Sequence, residues 1–89
     1  DSLFFNSDGL LLEGGRSNVF IKYQGQWFTP SLDLDILNGV MRQAVLKQPR
    51  LLGVDTIKET RITRSMLENA EEIRLSNALR GVFAVSLRK

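Results

Sequence analysis

The sequence predicts an α+β fold, a mostly antiparallel sheet with about two helices. Three observations lead there. Short apolar runs separated by turn residues fill the first 30 positions, as in paired strands. After Gly39 the apolar spacing changes to that of a helix. The chain then ends on two more strand-like runs, "IRLSN" and "VFAVSL".

Taken in order, "SLFFN" reads as a strand, and Ser7-Asp8-Gly9 as a turn into a second strand, "LLLE". "SNVFIKY" and "QWFTP" form a second hairpin about Gln24-Gly25. Thr29-Pro30 ends it, because proline has no N–H to give to a ladder. "SLDLDILNG" is a loop with room for a short helical turn. Val40, Ala44, Val45 and Leu46 recur at helical spacing through Lys47, and Pro49 closes that run. "DTIKETRI", with Ile57 and Ile62, is a strand candidate. Thr63 is a plausible N-cap for "RSMLENAEE", where Met66, Leu67 and Ala70 share a face. Phe4, Phe5, Phe20 and Phe28 are assigned to the core.

Composition removes several kinds of chemistry. With 89 residues the chain makes at most one small domain, and 43% apolar content argues against disorder. Arg42, Arg50, Arg61, Arg64, Arg74, Arg80 and Arg88 never form a block, so no nucleic-acid partner is expected at a net charge of +2. Cysteine and histidine are both absent, which removes disulfides, thiolate nucleophiles, histidine bases and most zinc sites; no metal is expected. No apolar run approaches the ~18 residues of a membrane span and no signal peptide is recognisable, so a cytoplasmic protein without a membrane partner is expected. The opening "DSLFFN" is already strand-like and lacks an initiator Met, as in a piece of a longer chain.

Three short stretches stand out. In "LLEGGRSNVF", Glu13 ends an apolar strand and two glycines follow. It is either a solvent-facing carboxylate at a turn or one that a ligand approaches closely past residues without side chains. Gly39-Val40-Met41 opens a helix, whose free N–H groups and positive dipole end suit an anion such as phosphate; a plain loop-to-helix junction reads the same way. Ser76-Asn77-Ala78, small and polar between two apolar runs, could supply more donors to that anion or be only a turn.

In this order, "EGGRSNVF", "FTP", "ILNGVMRQAVL" and "AEEIRLSNALRGVFAV" resemble the fold-type IV pyridoxal-phosphate enzymes, over nearly all 89 residues. That family comprises class IV aminotransferases, branched-chain and D-amino-acid, together with aminodeoxychorismate lyase. Within it, "NGVMRQ" is most similar to the lyases. Aminotransferases usually have Thr where this chain has Met41 and Ala78, and both departures remove hydroxyls that help hold the cofactor phosphate. The "SNALRGV" ending resembles lyases fused behind an aminodeoxychorismate (para-aminobenzoate) synthase component.

The resemblance implies a pseudo-barrel, the C-terminal, cofactor-binding domain of the D-amino-acid aminotransferase-like fold, spanning residues 1–89. It also implies pyridoxal 5'-phosphate as cofactor. Glu13 would contact the pyridine nitrogen, and Gly39, Val40, Met41, Asn77 and Ala78 would hold the phosphate. The implied reaction converts 4-amino-4-deoxychorismate to 4-aminobenzoate and pyruvate, a step toward folate, in a homodimer. The alternatives are an aminotransferase of the same fold and a non-catalytic domain that retains it. The family's Schiff-base lysine lies upstream of the matching segment, and Lys22, Lys47, Lys58 and Lys89 do not occupy its place. No catalytic residue is therefore expected within the 89 residues, and the segment alone should be inactive.

Overall fold

The computed structural model describes residues 3–13, 17–32, 39–77 and 81–85, with the backbone only at positions 4, 13, 77, 83 and 85. Strands β1 (Phe4–Phe5) and β2 (Leu11–Glu13) form an antiparallel hairpin across the expected turn. Asn6 organises that turn, its Oδ1 accepting from the N–H groups of Asp8 and Leu10 at 2.9 Å each. β3 (Asn18–Tyr23) and β4 (Gln26–Pro30) make the second hairpin. Its two-residue turn needs positive φ at both positions, and Gln24 and Gly25 supply 52° and 78°.

Helix α1 (Val40–Lys47) follows, and then a 3₁₀ turn over Pro49–Leu52. β5 (Ile57–Thr60), α2 (Arg64–Glu68), β6 (Glu72–Asn77) and β7 (Gly81–Val85) complete the described elements. Thr63 caps α2 as its sequence position suggests, accepting from the Met66 N–H at 3.2 Å. α2 is shorter than the "RSMLENAEE" stretch. It stops at Glu68 because Glu72 already belongs to β6.

The main sheet runs in the order β5-β4-β3-β6-β7. Three of its pairings are antiparallel, and β4–β5 is parallel because α1 carries the chain back between them. Strand alternation sends Val19, Ile21, Ile73 and Leu75 to one face, where Leu11 of the first hairpin, Ile62 and Leu67 of α2 cover them. Phe20 and Trp27 face the other side, beneath Val45 of α1 and Leu52. Each fully buried side chain of this size contributes roughly 1.5–3 kcal/mol. Of the aromatics assigned to the core, Phe20 is fully buried, while Phe5 and Phe28 pack at its margin. The Phe4 side chain lies outside the described residues.

One expectation fails on α1. Val40 is 72% exposed, whereas Arg42 and Val45 are the buried residues of the helix. Val40 lies five positions from Val45, about 140° around a helix of 3.6 residues per turn, so both cannot face the sheet. Arg42, three positions from Val45, does. Among the described residues, no helix is long and apolar enough to cross a membrane.

Candidate functional site

Three elements meet where β3 begins and β6 ends. Asn18 opens β3 and pairs with Ser76 near the end of β6. Both side chains are buried, at 3% and 0% exposure. Gly39, the N-cap of α1, lies directly against Asn18: a Cβ built on it would stand 2.5 Å from the Asn18 Oδ1. The start of α1 therefore rests on the Asn18–Ser76 end of the sheet. Gly39 has φ −65° and ψ 155°, which any residue adopts, so the need for glycine is purely one of space.

The helix start keeps its donors available. The first N–H groups of any helix lack a carbonyl within the helix. Among the described residues no side-chain hydrogen bond caps α1, and no acidic residue occupies its first turn. Val40 is open to solvent and Met41 half-buried, so the positive end of the dipole reaches the surface. Ser76 adds a second feature, for its Oγ is buried and has no hydrogen-bond partner among the described residues. A buried hydroxyl left this way costs about 1–3 kcal/mol unless something polar meets it. The end of the sheet thus joins an open helix start to an unsatisfied hydroxyl. This donor set suits an anion and fits the phosphate that the sequence resemblance calls for.

The residues singled out from sequence divide into four groups. Gly39, Val40 and Met41 lie at the start of α1, with Gly39 on Asn18. Asn77 follows Ser76 at the end of β6, its backbone paired with Gly81. Glu13 ends β2, five positions before Asn18, and its side chain lies outside the described residues. Ala78 lies outside them altogether, as do Gly14 and Gly15.

The structure adds residues that sequence reading missed. Asn18 seats the helix; its signal was the Asn before an apolar pair in "EGGRSNVF", a motif that carried the family resemblance without a role for this residue. Thr29, fully buried, donates its hydroxyl to the Val19 carbonyl at 2.7 Å and ties β4 to β3 beside the site. Arg42 pairs with Glu59 at 2.6 Å. Its signals were its place in "NGVMRQ", which carried the resemblance, and its spacing of three from Val45.

The family model described as amino-transferase class IV matches residues 1–87. The chain belongs to the class IV aminotransferase family. Its relatives carry more than one activity in their names. A protein of Aquifex aeolicus named "Probable branched-chain-amino-acid aminotransferase" is 36% identical over 76 residues, covering 85% of this chain and 24% of its own length. The aminodeoxychorismate lyase of Bacillus subtilis is 33% identical over 79 residues, covering 89% and 27%. Among solved structures, the branched-chain aminotransferase of Thermoproteus uzoniensis superposes with a TM-score of 0.83 at 30% identity, covering 93% of this chain and 28% of that one. This class IV chain thus spans about a quarter to a third of the length of the curated relatives it matches.

Proposed function

We propose that this chain is the C-terminal, cofactor-holding portion of a pyridoxal 5'-phosphate enzyme, and that the intact enzyme is an aminodeoxychorismate lyase. The single observation that carries the cofactor reading is the Ser76 hydroxyl, buried and without a partner among the described residues, on the sheet end against which the start of α1 rests. A phosphate is the ligand group that this combination of donors and dipole suits. Met41 offers no hydroxyl, and neither does Ala78. The backbone N–H groups of Val40 and Met41 would then do the holding, joined by those of Asn77 and Ala78 as the resemblance implies, and Gly39 brings the helix start close to the sheet. Glu13 would contact the ring nitrogen, as the resemblance implies, and would keep a proton on it, because an opposite charge in a partly dry site favours the charged form. When bound, the cofactor supplies an electron sink for a carbanion at the substrate. The residues of this chain would hold, orient and polarise the cofactor, and the resemblance implies that a lysine upstream of this segment would move the proton. The intact enzyme is expected to be a cytoplasmic homodimer.

The lyase reading rests on Met41, which stands where the family's aminotransferases usually carry Thr. The second reading, a branched-chain or D-amino-acid aminotransferase, draws on relatives with such names at comparable identity. The longer chain, loaded with pyridoxal phosphate and given 4-amino-4-deoxychorismate, is expected to release 4-aminobenzoate and pyruvate. Amino transfer to a 2-oxo acid, with no 4-aminobenzoate formed, would establish the second reading in its place.

A further inference from the structure

Arg42 occupies an unfavourable place. It stands in the first turn of α1, where the helix dipole already creates positive potential. It is also 1% exposed. Its Nη2 donates to the Pro30 carbonyl at 3.0 Å and to Glu59 Oε1 at 2.6 Å. Pro30 is the last residue of β4, and Glu59 lies in β5, the parallel neighbour of β4. The guanidinium therefore bridges both ends of the connection that delivers α1, and it fastens the helix start to two strands. Glu59 is the carboxylate that meets it among the described residues, and removing a partner from a buried guanidinium is destabilising. The carboxylate sets where Arg42 is held, and Arg42 sets where Gly39 and Val40 are held.

We infer that Glu59 is a positioning residue for the phosphate grip, acting through Arg42 and touching no ligand itself. The inference rests on the reading that a phosphate binds at the start of α1. It makes a prediction whose sign is unusual. A carboxylate near an anion site repels the anion, so charge alone says that Glu59→Gln should tighten phosphate binding. Loss of positioning says that it should weaken it.

The experiment uses the apo form of the longer chain and compares pyridoxal phosphate with pyridoxal, which has the same ring and aldehyde but no phosphate. Glu59→Gln is expected to bind pyridoxal phosphate about tenfold more weakly, the size of one charge-assisted hydrogen bond. Pyridoxal affinity should stay within about twofold, because ring and aldehyde contacts are untouched. Arg42→Lys keeps the charge, but its Nζ ends one atom short of Nη2, the nitrogen that makes both contacts. It should show the same phosphate-specific loss. Equal losses for both ligands would reduce Glu59 to a structural role, and unchanged or tighter pyridoxal phosphate binding would overturn the inference outright. If the unsubstituted protein itself has no preference for pyridoxal phosphate over pyridoxal, the phosphate reading fails first and takes this inference with it.

Discussion

A methyl group on Gly39 probes how α1 is seated. The backbone there is extended, so alanine adopts it without strain and gains about 0.4–1 kcal/mol by restricting the unfolded chain. Against that gain stands the contact. The new Cβ would lie 2.5 Å from Asn18 Oδ1, well inside the roughly 3.3–3.6 Å at which carbon and oxygen normally meet. Asn18 is 3% exposed and held in bonding contact, so its amide has no solvent to swing into. Overpacking of this kind costs typically about 1–3 kcal/mol. The net loss for Gly39→Ala is then on the order of 1–2 kcal/mol, a fall in Tm of roughly 5–10 °C for a domain of this size. Thermal melts of the apo protein followed by circular dichroism check it, in a cycle with Asn18→Ala. Removing the amide should recover part of the loss, giving a coupling of about 1 kcal/mol or more between the two sites. A Gly39→Ala protein that melts at or above the parent would refute the seating argument, as would strictly additive losses.

Three further outcomes are expected. Glu13→Gln in the longer chain should lower kcat on the order of 10²-fold while changing cofactor affinity much less, as for a charge that acts mainly in the transition state; steady-state kinetics beside a cofactor titration separates the two effects. Thr63→Ala removes the α2 cap seen at 3.2 Å and should cost about 1 kcal/mol, read as a drop in Tm with the ratio of pyridoxal phosphate to pyridoxal affinity unchanged. The 89-residue chain treated with pyridoxal phosphate and borohydride should yield no stoichiometric adduct on Lys22, Lys47, Lys58 or Lys89, and peptide mass mapping would reveal one if it formed.

Much of the fold is legible in the sequence where structure is decided locally. The Gln24-Gly25 turn follows from two residues that accept positive φ, and the Thr63 cap from a hydroxyl placed three residues before the Met66 N–H. Short apolar runs such as "SNVFIKY" and "IRLSN", bounded by turn residues, identified strands, because that pattern needs only neighbours along the chain. Family membership was legible for a similar reason: the spacing of Glu13, Gly39 and Asn77 is itself a property of the sequence. The parallel β4–β5 pairing, the seating of Gly39 on Asn18, the Ser76 hydroxyl without a partner among the described residues and the pairing of buried Arg42 with half-exposed Glu59 required the tertiary structure. Each brings together residues from different elements, so each depends on which face of a helix or strand meets the sheet. Val40 and Arg42 show this most directly. Composition favours burying the valine. The helix instead turns its Arg42–Val45 stripe inward, because Pro30 and Glu59, distant in sequence, offer the guanidinium its acceptors there.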